Sequence, residues 1–307
     1  MKNRHHTLAV TGGTGFVGRH LLDAALAQGH HVRALTRAPR PPREGVAWVY
    51  GALEKPAALA ELVDGADAVI HVAGLVNAPN RAGFAAGNVA GTLAVVDAAR
   101  AAGLRRFVHV SSLAAREPQL SDYGWSKARA ETIVAASALD WTMVRPPAVF
   151  GPGDTEILEL FRAARRGLVP VPPAGRLSVI AAQDLARLLL AVLPDDDSQA
   201  AIYEPDDGRA GGWTHAEFAT AIGHAVGRRS RTQPVPAWAM HAGAWFDAAW
   251  RGRNAKLTRD RVRYFLHPDW VSDPVRRPPP RLWQAEVTTQ DGLSVAAESY
   301  RADGLLA

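Results

Sequence analysis

Short apolar runs alternate with longer alanine-rich stretches through residues 1–150. The runs are rich in β-branched residues, and this alternation predicts an α/β fold in which helices cover both faces of a doubly wound parallel sheet. Strands are expected at residues 7–11, 31–36, 47–50, 68–72, 106–111 and 141–145. Helices are expected at residues 16–28, 57–63, 88–102 and 123–136.

The pattern changes after Gly151, where proline and glycine become frequent. Helices are predicted there at residues 156–166, 183–192 and 215–226, and a basic, proline-rich stretch at 272–280 precedes an amphipathic tail. We therefore expect two domains, an α/β domain in residues 1–150 and a smaller, mostly helical lobe in residues 151–307. One strand of the later part could rejoin the sheet.

One segment of the expected lobe places large apolar residues at helical spacing: Trp238, Met240, Trp245, Phe246 and Trp250. Such a helix could form a lid over a hydrophobic substrate, or it could lie on a membrane surface. We favour a third interpretation, in which the helix packs on the core of the lobe.

Composition excludes several classes of site. With 48% hydrophobic residues, a chain of 307 residues can bury a core without metal or disulfide staples. The absence of cysteine excludes disulfides, zinc–thiolate sites, iron–sulfur clusters and cysteine nucleophiles. The histidine pairs His5–His6 and His30–His31 lack a third ligand, so no metal is expected.

Charge and hydropathy bear on partners and location. The net charge of +5 comes from scattered arginines, so no nucleic-acid partner is expected. No stretch approaches the ~20 apolar residues that span a bilayer, and residues 1–10 do not resemble a signal peptide. We expect no integral membrane segment and a cytoplasmic location.

The strongest local motif lies between the first strand and the first helix, and reads Thr11-Gly12-Gly13-Thr14-Gly15-Phe16-Val17-Gly18. Glycine is needed where the chain turns tightly, approaches a pyrophosphate, or packs a helix closely on a strand. The helix N-terminus also offers N–H groups and a positive dipole end to phosphates. We therefore predict a Rossmann-type domain whose cofactor contacts Gly12, Thr14, Gly15, Phe16 and Val17.

The end of the second strand predicts which dinucleotide binds. An acidic residue there would bind the ribose hydroxyls of NAD, whereas an arginine would pair with the extra phosphate of NADP. This strand carries no acidic residue and leads into Arg37, with Arg33 and Arg40 nearby. The pattern favours NADP(H) over NAD(H).

A second motif combines Tyr123 and Lys127 with Ser111 and Ser112, which follow the fifth strand. Tyrosine and lysine at i and i+4 share one helix face. A free phenol has a pKa of about 10, and a nearby ammonium group brings it into a useful range. A serine hydroxyl could then hold the substrate oxygen while hydride arrives from the nicotinamide.

Taken in order, these motifs resemble the short-chain dehydrogenase/reductase superfamily, in its extended or atypical branch of epimerase/dehydratase-like proteins. The similar features are the glycine loop, Ala73–Gly74, Asn88 with Gly91–Thr92, Val110–Ser112, the Tyr-Lys pair and the Arg145–Pro152 run, and together they span about the first half of the chain.

The resemblance implies roles for individual residues. Tyr123 would be the general acid/base, Lys127 would contact the nicotinamide ribose and lower the tyrosine's pKa, and Ser112 would orient the substrate. Ser111 would support the backbone. Ala73, Gly74 and Pro146 would join the glycine loop in binding the cofactor.

The sequence also departs from the family pattern. Nucleotide-sugar members usually carry asparagine where Ala148 stands, and the family often has aspartate where Ala52 stands, near the adenine. The segment between Ser112 and Tyr123 is short for a sugar-contacting loop. These departures favour an apolar small-molecule substrate, of terpenoid or steroid type, over a nucleotide sugar.

The resulting hypothesis is an NADP-preferring oxidoreductase that acts on a carbonyl or alcohol through Ser112, Tyr123 and Lys127. One alternative is a nucleotide-sugar epimerase or dehydratase that retains NAD. Another is a non-catalytic NADP-binding sensor or assembly factor. Relatives often form homodimers, and the helices expected at 88–102 and 123–136 could serve that purpose.

Overall fold

The computed structural model describes residues 5–252 and 257–306 and contains a seven-stranded sheet. Its strands are β1 (Thr7–Thr11), β2 (His31–Thr36), β3 (Val46–Tyr50), β4 (Ala68–His71), β5 (Arg106–Val110), β6 (Asp140–Val144) and β11 (Ala201–Tyr203). They lie in the order β11-β6-β5-β4-β1-β2-β3, and all neighbours are parallel. The predicted Rossmann-type α/β fold is confirmed.

The helices α1 (Phe16–Ala27), α2 (Pro56–Val63), α4 (Gly91–Ala101) and α5 (Asp122–Ala135) belong to the same unit as this sheet. Val69 of β4 and Phe107 of β5 are fully buried in a core cluster that includes Leu62 of α2 and Val95 of α4. Strands buried on both faces need no polar alternation, which explains their continuous apolar runs. The strand order reverses between β1 and β4, and in open α/β sheets ligands bind in the crevice outside the carboxyl ends of the strands at such a reversal.

The helix expected at residues 88–102 begins earlier than predicted. A short helix, α3 (Arg81–Phe84), leads through a π-helical turn (Ala85–Ala90) directly into α4. Asn80 caps the start, where its side chain accepts a hydrogen bond from the N–H of Gly83. Glycines at 83, 87 and 91 lower the helix propensity of this segment, so the sequence pattern alone did not reveal its first turns.

The combined run Arg81–Ala101 is the one helix in the described ranges that is long and apolar enough to cross a membrane, with 21 residues and a mean hydropathy of 1.3. It carries two buried polar side chains, Asn88 and Thr92. Thr92 Oγ1 lies 3.0 Å from Nε2 of His71 in β4. These contacts show that the helical run packs against the sheet. No clear integral membrane segment is found among the described residues.

The chain divides into two compact units. The first comprises Met1–Arg145, Leu185–Glu204 and Pro278–Trp283, and therefore includes β11 from the later part of the chain. The second comprises Pro146–Asp184, Pro205–Arg277 and Gln284–Ala307. The chain first passes from the first unit to the second between Arg145 and Pro146, five residues before the boundary expected from the sequence.

Helices and short strands together form the second unit. Its helices are α6 (Leu158–Arg166), α8 (His215–Ala225), α9 (Ala237–Arg251), α10 (Arg259–Leu266) and α11 (Thr289–Ala302), and α7 (Ala182–Ala191) leads from it back to the first unit. Its strands are β7 (Ala148–Phe150), β8 (Leu168–Val171), β9 (Arg176–Leu177), β10 (Val179–Ala181), β12 (Trp213–Thr214), β13 (Arg231–Pro234) and β14 (Asp269–Trp270). The buried Phe161 and Tyr300 pack edge to face at 5.0 Å in its core.

Two buried histidines lie side by side inside the main sheet. His71 of β4 and His109 of β5 are register partners, and their rings stack at 5.4 Å. Nδ1 of His71 lies 2.6 Å from Oγ1 of Thr11, whereas neither ring nitrogen of His109 has a hydrogen-bonding partner within the described part of the chain. Burial, with a smaller contribution from Lys127, lowers the pKa of His71 to about 3 and that of His109 well below its ordinary value.

These histidines make stability depend on acidity. Because both pKa values are lowered in the folded state, the unfolded chain binds protons below pH 6.5 that the folded chain does not. The free energy of unfolding should therefore fall as the pH drops below 6.5, by about 1.4 kcal/mol per pH unit for each histidine. The substitution His109→Leu should remove one such contribution and flatten the slope.

Urea unfolding at several pH values between 7 and 5 measures this slope. The exposed His224 provides a control, since His224→Leu should leave the slope as it is in the wild type. Parallel slopes for the wild type and His109→Leu would contradict the assignment of His109 as a buried neutral group.

Candidate functional site

The glycine loop joins β1 to α1 at the crevice and accommodates only glycine at two positions. Gly12 has φ = +74°, and a Cβ there would lie 2.6 Å from the backbone nitrogen of Ala73. A Cβ on Gly18 would collide with the carbonyl oxygen of Gly12. The chain thus approaches itself so closely that a side chain at either position would push the loop open.

The first turn of α1 suits an anionic ligand. Its N-cap, Gly15, is exposed and provides no side-chain cap, and the first turn contains no acidic residue. Amide N–H groups at such an end attract phosphate oxygens. The cradle formed by Gly12, Gly15 and Gly18 therefore fits the pyrophosphate of a dinucleotide, as the sequence motif predicts.

The arginines after β2 differ in what they contact. Arg33 donates hydrogen bonds to the carbonyl oxygens of Glu61 and Leu62, so its guanidinium is held at the end of α2. Arg37 and Arg40 are exposed. Of the three basic side chains in this stretch, these two are the ones available to an additional phosphate.

Lys127 is a buried cation on α5. Its side chain is only 5% exposed, and its ammonium donates a hydrogen bond of 2.9 Å to the carbonyl oxygen of Val110 at the end of β5. Burial lowers the pKa of Lys127 to about 8, and the Glu131 carboxylate opposes part of that shift. A Cβ on Gly74 would lie 3.0 Å from the ammonium nitrogen, so this glycine leaves room for it.

Tyr123 lies at the start of α5, and Ser112 lies just after the end of β5. Tyr123 is in the first turn of α5, partly buried, with its ring 6.0 Å from that of Phe84. Ser112 follows β5 and caps the 3₁₀ turn Leu113–Arg116, where its Oγ accepts a hydrogen bond from the N–H of Ala114. The adjacent Ser111 instead donates to Glu131, so the two serines have different partners.

Asn88 links the helices to the loop after β4, a role that the sequence analysis did not assign. Its amide exchanges two hydrogen bonds with the backbone of Leu75, at 2.6 and 3.0 Å, and donates a third to Oγ of Ser126 on α5. Its position in the π-helical turn directs this side chain to both partners. In the sequence, the match of Asn88 and Gly91–Thr92 to the family pattern was the feature that could have indicated this role.

A buried ionic network begins one turn beyond Lys127. Glu131 accepts a hydrogen bond of 2.6 Å from Ser111 and two from Arg145, at 2.8 and 2.6 Å. Arg145 also pairs with the fully buried Glu204, which in turn pairs with Arg116. This network ties α5 to the ends of β5, β6 and β11. The spacing of Tyr123, Lys127 and Glu131 at i, i+4 and i+8 was the only sequence signal for it.

Residues 12–196 match a protein family described as NAD(P)H-binding. A ceramide reductase from Caulobacter vibrioides is 38% identical to this chain over 97% of its length and 96% of the relative's. The chain belongs to the NAD(P)H-binding family of extended short-chain dehydrogenases/reductases. The predicted family and the prediction of an NAD(P)-dependent enzyme are confirmed.

Two further comparisons extend this assignment. A 4-hydroxy-2-methyl-3-oxo-4-farnesyl-3,4-dihydroquinoline-1-oxide ketoreductase from Stigmatella aurantiaca is 36% identical over 48% of this chain and 52% of its own. The Bordetella bronchiseptica enzyme WbmG, solved in complex with NAD, shares the fold with a TM-score of 0.76 at 20% identity, over 99% of this chain and 97% of its own.

In this short-chain dehydrogenase/reductase the structure brings some of the predicted site residues together and leaves others apart. Gly12 lies against Ala73, and Gly74 lies against Lys127, within the first unit. Arg37 follows β2 and is exposed, and Thr14, Phe16 and Val17 lie at the start of α1. Pro146 is buried and belongs to the second unit. The functional role of each residue stays a prediction.

Burial lowers the pKa of Lys127, and Glu131 should raise it part of the way back. Because its carboxylate raises that pKa, Glu131→Gln should move the titration of Lys127 below the wild-type midpoint near pH 8. The chain has only four lysines, so NMR of protein labelled at the lysine Nζ and Cε atoms can follow each of them. The substitution Lys127→Arg identifies the signal.

Glu298→Gln, at an exposed position of α11, is the matched control and should leave the midpoint unchanged. A midpoint in Glu131→Gln equal to that of the wild type would show that Glu131 does not act on Lys127.

Proposed function

We propose that this protein is an NADP(H)-preferring reductase that acts on the ketone of a long-chain, ceramide-like lipid. The observation that carries the proposal is the similarity to a ceramide reductase over nearly the whole of both chains. A relative that matched only the dinucleotide-binding half would say nothing about substrate. This relative matches the second unit as well.

The cofactor contacts follow from the loop geometry. The amides at the start of α1, in Gly15, Phe16 and Val17, would hold the pyrophosphate beside Gly12 and Thr14. Ala73 and Gly74 would lie under the nicotinamide ribose together with Lys127. The family resemblance adds Pro146 to the residues that would bind the cofactor. The guanidinium of Arg37 would pair with the ribose phosphate that distinguishes NADP from NAD.

The chemical step divides among three side chains. The hydroxyl of Ser112 donates a hydrogen bond to the substrate's carbonyl oxygen and orients it. Tyr123 donates its phenolic proton to the same oxygen as the carbonyl carbon is reduced. When NADPH is bound, it supplies the hydride, so the products are an alcohol and NADP⁺.

The buried Lys127 supports Tyr123 in this role. A phenolate forms when the proton leaves, and a nearby ammonium favours that charged form because the two charges attract in a medium of low dielectric constant. With a pKa of about 8, Lys127 is mostly protonated at neutral pH. Reduction should therefore slow above pH 8 as this ammonium loses its proton.

Sequence features support an apolar substrate. Ala148, in β7, stands where nucleotide-sugar members of the family usually carry asparagine. The relative that matches nearly the whole chain is named a ceramide reductase, and a ceramide carries long hydrocarbon chains. An alanine contributes apolar surface and no hydrogen bond, which suits such chains better than a sugar ring.

Cofactor preference is tested by calorimetry with NADP(H) and NAD(H). The wild type should bind NADP(H) more tightly, and Arg37→Ala should lose about 10- to 100-fold in NADP(H) affinity, the value of one or two hydrogen bonds to a charged group. Binding of NAD(H) should change little. Arg40→Ala, a substitution of the neighbouring exposed arginine, is the control. Equal affinities for the two dinucleotides would contradict the preference.

Reductase activity is tested with a ceramide that carries a ketone in place of its secondary hydroxyl, with NADPH oxidation as the readout. Tyr123→Phe removes the proton donor and should lower kcat by a factor of about 10² or more, while NADPH binding should persist. Tyr50→Phe is the control, because Tyr50 is 69% exposed in β3. Equal kcat values for the two variants would exclude Tyr123 as the acid.

A further inference from the structure

Helix α9 presents an aromatic face to the outside of the second unit. The side chains of Trp238, Trp245, Phe246 and Trp250 are 74%, 57%, 65% and 90% exposed. The small Ala244 is 1% exposed and lies on the packed side. The helix is therefore reversed relative to an ordinary surface helix, since its large apolar residues point outward.

The exposed residues form one continuous face, which we call the aromatic face of α9. At about 100° per residue, Trp238, Trp245, Phe246 and Trp250 fall within an arc of about 140°. Trp245 and Phe246 also contact each other edge to face at 5.0 Å. Exposed apolar patches of this kind mark interaction surfaces, because leaving them in water is unfavourable.

The stretch of sequence that contains α9 is strongly basic. Residues 228–263 contain nine lysines and arginines but only two acidic residues, Asp247 and Asp260. Each of these acids is already paired with an arginine, Asp247 with Arg251 and Asp260 with Arg263. Nine basic minus two acidic residues give this segment a net charge of +7, which is larger than the +5 of the whole chain.

We infer that α9 docks on an anionic lipid bilayer, with its aromatic face inserted at the headgroup level. Tryptophan is the residue type enriched at membrane–water interfaces, because its ring is apolar and its indole N–H can still bond to headgroups or water. Flanking arginines add attraction to anionic lipids. The inference rests on the proposed function, because a two-chain lipid substrate resides in a bilayer and a reductase must reach it there.

The charge distribution favours a bilayer over a second copy of this chain. In a symmetric dimer the same surface of each copy faces the other, so two chains with the same excess of basic residues in this part of the sequence would be brought together. Like charges repel each other. An anionic surface instead compensates the same charges.

The test is sedimentation of the full-length protein with vesicles of phosphatidylcholine alone or of equal parts phosphatidylcholine and phosphatidylglycerol. We expect binding to the anionic vesicles, weaker binding to the neutral ones, and release by high salt. The triple variant Trp238→Ala, Trp245→Ala and Trp250→Ala should lose roughly tenfold or more in affinity. Val275→Ser is the matched control, since Val275 is 91% exposed in the same unit.

Two results would overturn the inference. One is binding by the triple variant equal to that of the wild type, or no binding by either protein. The other is light scattering that shows a wild-type dimer in the absence of lipid and a monomeric triple variant, because the aromatic face would then be a contact between copies.

Reduction of a short-chain, water-soluble ketone analogue without vesicles separates this inference from the proposed function. The triple variant should reduce the analogue at the wild-type rate while failing to reduce the vesicle-borne lipid. Absence of reduction by the wild type in both assays would reject the proposed function, whereas vesicle binding would still be decided by sedimentation.

Discussion

The buried ammonium of Lys127 constrains much of the structure around it. A cation removed from water requires compensating partners, and here the carbonyl oxygen of Val110 and the carboxylate of Glu131 supply them. His71 and His109 remain neutral mainly because they are buried, and the positive charge of Lys127 lowers their pKa values further. Gly74 leaves space for the side chain. In the proposed mechanism this cation favours the phenolate of Tyr123, one helical turn away on α5.

Much of the fold was predictable because its signals are local. Continuous apolar strands, the glycine loop and the Tyr123–Lys127 spacing are each contained within a few residues. The ionic network was not predictable in this way, since Glu131 and Glu204 are far apart in sequence and both reach Arg145 only because β11 returns beside β6. The strands of the second unit, two to four residues long, are too short to show an alternating pattern.

The helix α9 shows a different limit of sequence reasoning. Helical spacing identifies an apolar face but does not say whether that face points inward. We expected the helix to pack on the core of the lobe, yet it packs through small residues such as Ala244, and Trp250 is 90% exposed. Which face of the helix packs inward depends on the surfaces of the neighbouring elements, and the helix's own sequence does not specify those surfaces. The reversed orientation is thus information that only the structure provides.

Isotopic labelling tests directly whether hydride passes from NADPH to a lipid ketone. NADPH deuterated at the transferring position of nicotinamide C4 is incubated with the ketone-bearing ceramide, and the product is examined by mass spectrometry. We expect one deuterium at the new carbinol carbon and one NADP⁺ for each alcohol formed. Unlabelled product without net NADPH consumption, as expected of an epimerase that retains its cofactor, would contradict it.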